Sequence, residues 1–292
     1  MLKLPPSELI IFTCVIAASF GAAVAGVLQL LARFERCKRF PVPLVALAVT
    51  LEAVMLIFRA VEIKAVPLTG SFESMIVLSI VFGLTFLFLS IAIHKVWFSS
   101  VMVWVMLVLI LLAAVVARPA SQASEMASTP WAIAHAVSMI LAGAAAMLAT
   151  AGAVLYLYAR RKLKQKDLLG VLGRVPNVEK LEHMNLLGLR LCFILLTFGL
   201  VSGIELSISL KLTSRAWLTD PKIVLIEIIW LLLGIILVLC KTAKLKERTI
   251  AHVTIVTFAL LLFAVVGTSV FCGTRHDSGF GANNTETVER TK

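Results

Sequence analysis

The 292-residue sequence is poor in what a water-soluble enzyme carries. Only 15% of its residues are charged, and it holds two tyrosines and five cysteines. Cys14, Cys37, Cys192, Cys240 and Cys272 include no Cys-x-x-Cys pair, so the spacing supports neither a thiol relay nor an exported disulfide framework. No Cys/His cluster has zinc-ligand spacing, no glycine-rich phosphate loop is present, and no Ser/His/Asp arrangement is readable. Acidic residues are scarce, with 16 Asp and Glu against 27 Lys and Arg. Polar stretches long enough to make a soluble domain are also missing.

What is present is apolar. Hydrophobic residues make up 60% of the chain and the mean hydropathy is +1.02, and apolar runs of about 20 residues, enough to cross a bilayer, recur along it. The expected fold is all-α, a polytopic membrane helical bundle with about eight transmembrane helices, at roughly 8–33, 41–61, 74–93, 99–117, 131–158, 186–206, 223–240 and 249–271. The chain reads as one domain over 1–292. The first run resembles a signal peptide at Ala23-Val-Ala25, but it continues to about Phe34 and its basic cluster follows it, which fits a retained helix.

Lysine and arginine concentrate in alternate loops: Arg33 to Arg39, Lys95, Arg160 to Lys180, and Lys241 to Arg248. The positive-inside rule puts these loops in the cytoplasm and both termini outside. The net charge of +11 is then a topology signal and an attraction to anionic lipid, and nucleic acid is not an expected partner. The basic loop Arg160–Asn185 is expected to hold a short surface helix and a turn. Glu52 and Arg59 lie seven apart in the second span, on one helical face, and are expected to pair; read as pathway residues with Glu205 and Glu227, they would suit a small-solute permease. No inverted repeat or Gly/Pro-broken helix pair supports a transporter.

Five segments carry chemistry. In Ala216 to Trp230, Trp217 offers a flat apolar face, Asp220 can cap the helix opened by Pro221, and Lys222 adds a cation. An aromatic belt with a helix cap and a site for a flat carboxylate-bearing aromatic ligand both fit these residue types. Pro67 to Ser74 reads as a turn that ends one helix and starts the next at Ser71 and Glu73. Trp131 and His135 fall one turn apart on one face, ahead of Ser138 and Met139. Leu196-Thr197-Phe-Gly199 leads to Ser202-Gly203, and the tail holds Arg275 and His276. Ala145 and Ala149 put small residues at helix-packing spacing.

These segments resemble, in order and spacing, those of the cytochrome c assembly family, which includes the CcsA/ResC, CcmC and HemX-like proteins. Trp217-Leu-Thr-Asp220-Pro221-Lys222 with Trp230 is similar to the tryptophan-rich WxWDPKE…W signature, with Thr219 at the second Trp and Ile223 at the Glu. Pro67 to Ser74 is similar to PLSNxYES, His135 to Met139 to HVSMM, Leu196 to Gly203 to LTxGxxSG, and the tail to GxHSYG. The likeness covers about 65–280. It implies haem b as cofactor, with His135 and His276 as external axial ligands and Trp131, Trp217, Asp220, Lys222 and Arg275 around the ring and its propionates. It further implies apocytochrome c as acceptor, a ResB-type membrane partner, a bacterial inner-membrane location, and at most the haem-presenting role in a haem lyase. Family members of the CcsA type carry a further histidine pair within the membrane, at positions that here are Ala65 and Cys240. That departure suits a HemX-like regulator of tetrapyrrole synthesis as the alternative.

Overall fold

A computed structural model describes residues 5–31, 41–63, 71–92, 96–115, 129–165, 177–209, 219–242 and 245–268. Eight α-helices account for almost all of them: α1 Pro6–Leu31, α2 Pro41–Ile63, α3 Ser71–Ala92, α4 Val96–Val115, α5 Pro130–Lys164, α6 Val178–Ser209, α7 Pro221–Thr242 and α8 Glu247–Leu262. The described residues contain no strand. In a bilayer only internally satisfied backbone can cross, which is why apolar runs of this length become helices. Six helices (α1, α2, α5, α6, α7 and α8) are long and apolar enough to span a membrane, while α3 and α4 hold the shorter apolar stretches Phe72–Phe88 and Met102–Val115. The expected all-helical membrane bundle is therefore present.

Four of the helices begin on a proline, α1 at Pro6 among them. Pro130 opens α5, and Thr129 before it accepts the Ala132 N–H at 3.3 Å. Pro221 opens α7 behind Asp220, and Pro41 opens α2. Proline at the first helical position forfeits an N–H that has no partner there anyway.

The helices form two groups of four. In the first, α1 packs on α2 and α4, and α3 lies against both α2 and α4. In the second, α5 packs on α6 and α8, and α7 lies against α6 and α8. The groups meet chiefly where α3 touches α5. A Cβ placed on Gly143 would sit 3.6 Å from Leu78, and one turn further along each helix Phe82 and Met147 line a common small cavity, so α3 and α5 run parallel. Their N-terminal ends thus share one end of the bundle, called here the His135 end.

Two expectations are corrected. The basic loop expected over Arg160–Asn185 is shorter, since α5 continues to Lys164 and α6 already starts at Val178, and the surface helix and turn expected within it lie outside the described residues. The reason is packing, since Leu181, Asn185, Gly188, Leu189 and Cys192 recur at helical spacing and are all buried. Glu52 and Arg59 do not pair with each other. Arg59 bonds Glu73 of α3 at 2.6 Å and Glu8 of α1 at 3.3 Å, and approaches Glu62 at 3.6 Å, while Glu52 accepts from Ser79 of α3 at 2.7 Å. Spacing within α2 set the two side chains on one face, but the neighbouring helices present the partners.

Candidate functional site

α5 and α6 form the seam on which the site rests. A Cβ on Gly188 would lie 2.8 Å from the Ala149 Cβ and backbone N, one on Gly152 would lie 3.0 Å from the Leu181 carbonyl oxygen, and one on Gly203 would lie 3.0 Å from His135 Nδ1. As the residue number falls along α5 it rises along α6, so the helices are antiparallel in continuous contact. Small residues let the backbones approach this closely, the usual basis of helix association in lipid. Ala149 sits on this seam, buried, as its spacing from Ala145 indicated.

At the His135 end the seam turns polar. His135 Nδ1 lies 2.7 Å from the Gly199 carbonyl oxygen. A carbonyl only accepts, so Nδ1 carries the proton and donates, and the neutral ring then presents its lone pair at Nε2. Ser202 Oγ also donates to the Gly199 oxygen at 3.1 Å, and to that of Phe198 at 2.7 Å. Met139, one turn after His135, lies over Gly199. The His-x-x-Ser-Met and Leu-Thr-x-Gly-x-x-Ser-Gly segments, 64 residues apart at their hydrogen-bonded pair, thus make one unit. Sequence reading named His135 as a candidate and left Gly199 and Gly203 as motif residues. Their four-residue spacing, matching that of His135 and Met139, was the available signal.

α7 joins the same stretch of α6. Trp230 Nε1–H donates to Thr197 Oγ1 at 2.8 Å, and its ring stacks on Phe193 at 5.7 Å between centroids with 11° between planes. At the head of α7 Asp220 is buried, and its Oδ1 accepts the Lys222 N–H at 2.9 Å while its carbonyl accepts from Val224 at 3.0 Å. This is the expected N-cap. Lys222 is half-buried beside it, and Trp131, in the first turn of α5, is exposed. Trp217, Arg275 and His276 lie outside the described residues, as do Ala65 and Cys272. His252 is exposed and bonds the Arg248 carbonyl of its own helix, and His183 is exposed too. No group of three or more His, Cys, Asp or Glu residues forms a metal site among the described residues.

Four of the five segments, two of them joined by the His135–Gly199 bond and two by Trp230 and Thr197, fall within a known sequence pattern, and Arg275 and His276 of the tail lie just beyond it. The pattern of the family described as Cytochrome C assembly protein matches residues 65–274, most of the chain. The chain belongs to the cytochrome c assembly family. This membership gives it a role in cytochrome c biogenesis as a multi-pass membrane protein. No individual curated protein matches it. In this family member the matched region starts just before α3 and ends beyond α8, so α1 and α2 lie outside it.

Proposed function

We propose that this cytochrome c assembly protein, a single domain over 1–292, holds haem b at the outer face of a bacterial cytoplasmic membrane for delivery to apocytochrome c. The observation that carries the reading is the hydrogen bond from His135 Nδ1–H to the Gly199 carbonyl. A metal-binding histidine characteristically donates its other ring N–H to a carbonyl or carboxylate, which fixes the tautomer and the ring direction. The donor set therefore fits an axial ligand to haem iron. His276 supplies the second imidazole. Trp131 and Trp217 pack against the porphyrin, Asp220 holds the head of α7 in place, and Lys222 and Arg275 meet the propionates. Haem, when bound, supplies vinyl groups to the acceptor's thiols; the protein's part is to hold and orient it, beside a ResB-type partner.

Purified protein should show a low-spin bis-histidine spectrum. Replacing His135 or His276 with Gly should lose or convert it, and free imidazole should restore it in part. Retention of the wild-type spectrum and haem content in the double variant would end this proposal. The departures at Ala65 and Cys240 favour a second reading, a HemX-like regulator of tetrapyrrole synthesis. The same haem spectrum without any effect of gene deletion on covalent cytochrome c, but with altered tetrapyrrole levels, distinguishes it.

A further inference from the structure

The haem reading uses nothing in the first four helices, yet these bury the most unusual group in the molecule. Glu52 is fully buried, with no solvent-exposed surface. It lies eleven residues from each end of α2, about 16 Å along the helix axis in either direction. Its Oε1 accepts the Ser79 hydroxyl at 2.7 Å, and its Oε2 has no hydrogen-bond partner among the described residues.

No counter-charge accompanies it among the described residues. On its own helix the nearest is Arg59, two turns away and engaged with Glu73 and Glu8. Of the helices packed around α2, α1 offers Glu8, already bonded to Arg59, and Cys14, which is exposed; α3 offers Glu73; and α4, the remaining member of the group, has no titratable residue between Val96 and Val115. An ionised carboxylate with a single hydroxyl donor in such a place carries a large uncompensated desolvation cost. Protonation removes that cost. A carboxylic acid is also the simplest species that uses Ser79 as a donor to one oxygen and carries its own hydrogen on the other. A metal cation fits poorly, since Glu52 and Ser79 are too few oxygens to replace a hydration shell.

We propose that Glu52 is a proton-binding site of the first helical group, occupied as the neutral acid, and that it exchanges its proton with the His135 end of the bundle past the Arg59 cluster. Glu52 and Arg59 share a face of α2, Ser79 and Glu73 reach them from α3, and Glu62, half exposed with a relative side-chain area of 52%, lies 3.6 Å from Arg59. The O–H bond of Glu52 breaks, the proton passes to water, and a carboxylate of the cluster (Glu8, Glu73 or Glu62) accepts it before releasing it to the outside solution. Arg59 keeps its charge throughout and holds the carboxylates in place. Intramembrane ionisable groups away from any partner charge are functional in most settings where they occur.

Two measurements on the full chain in proteoliposomes test this. Dicyclohexylcarbodiimide adds across the O–H of a neutral carboxylic acid in apolar surroundings, giving an acylisourea that rearranges to a stable acylurea. Peptide mapping should find the adduct at Glu52, Glu52→Gln should reduce it to background, and sodium or potassium ions should not protect. Absence of the adduct, or protection by either cation, overturns the proposal in favour of an ionised or cation-bound carboxylate. The second readout is the infrared carbonyl stretch of a protonated carboxyl, which Glu52→Gln should delete and transfer to heavy water should shift. Glu62→Gln should slow that shift severalfold; an unchanged exchange rate, or a band that never shifts, removes the route. Because wild-type protein suffices for the mapping, poor folding of a variant does not leave the question open. Haem content should be unchanged in Glu52→Gln.

Discussion

The two groups of four helices hold themselves together by different chemistry. In α1–α4 the specific contact is ionic: Arg59, almost fully buried, sits between Glu8 and Glu73 from two other helices. In α5–α8 it is steric and dipolar: glycines and alanines bring α5 and α6 together, and histidine, serine, threonine and tryptophan bond to helix carbonyls or hydroxyls. A buried ion pair fixes which helix ends are neighbours but gains little net energy, because desolvation offsets much of the attraction. A small-residue seam instead maximises contact in a solvent where apolar surface alone gives no preference for protein over lipid. The difference suits the proposed roles: under the haem reading the second group has to place His135 closely, whereas the first has to fix an arrangement of helices.

The largest effect should come from breaking the ionic contact on one side only. Arg59→Met leaves Glu8 and Glu73 buried without their guanidinium and should cost about 3–5 kcal/mol, read as lost thermal stability in detergent. Adding Glu8→Gln and Glu73→Gln should recover most of the loss, because no uncompensated charge then remains. If the triple variant is no better than the single one, the ionic description of the first group is wrong.

Overpacking is the matching test on the seam. Gly188→Val puts a branched side chain where even a Cβ would lie 2.8–2.9 Å from Ala149, and should cost about 1–3 kcal/mol by forcing the helices apart. The corresponding change at Gly21, where a Cβ would meet only the end of Leu44 at 3.7 Å, should be tolerated. Equal damage at both positions would mean that the seam is no tighter than the rest of the bundle.

Within the seam, Gly203→Ala probes placement rather than folding. Its Cβ would lie 3.0 Å from His135 Nδ1 and 3.1 Å from Cε1, so the ring has to give by a few tenths of an ångström, at the expense of its bond to the Gly199 carbonyl. Haem retention should fall by about 10–100-fold, as for the loss of other partners that orient a ligating histidine, with little change in thermal stability. A normal haem content would detach Gly203 from the site.

How much of this was legible in the sequence follows the range of each interaction. The eight helices were readable because a bilayer demands apolar runs of a set length, and Asp220 was readable as a cap because capping is local. The partners of Arg59 were not. Spacing along α2 offered Glu52, and only the arrangement of α1 and α3 beside α2 brings Glu8 and Glu73 closer. The acceptor for His135 was hidden for a further reason: it is a main-chain oxygen, which any residue possesses, and only the antiparallel register of α5 on α6 selects that of Gly199. Even the boundary error after Arg160 has this origin, since charged residues disguised helix ends whose buried face, Leu181 and Asn185, continues the pattern.

The smallest effect should appear where α7 meets the seam. Trp230 reaches α6 in two ways, through a 2.8 Å hydrogen bond to Thr197 and through stacking on Phe193. Trp230→Phe removes the donor and keeps an aromatic face. Thr197 still has the Phe193 carbonyl to donate to, at 2.7 Å, so no buried hydroxyl is stranded, and the cost should be about 0.5–1.5 kcal/mol. Thr197→Val removes the acceptor but strands the indole N–H in an apolar place, and should cost more than Trp230→Phe, although one hydrogen bond is lost in each. The double variant should be no worse than Thr197→Val alone, because the stranded donor is gone. A double variant that simply adds the two losses would show that the bond contributes nothing specific, and that α7 is held to α6 by ring packing alone.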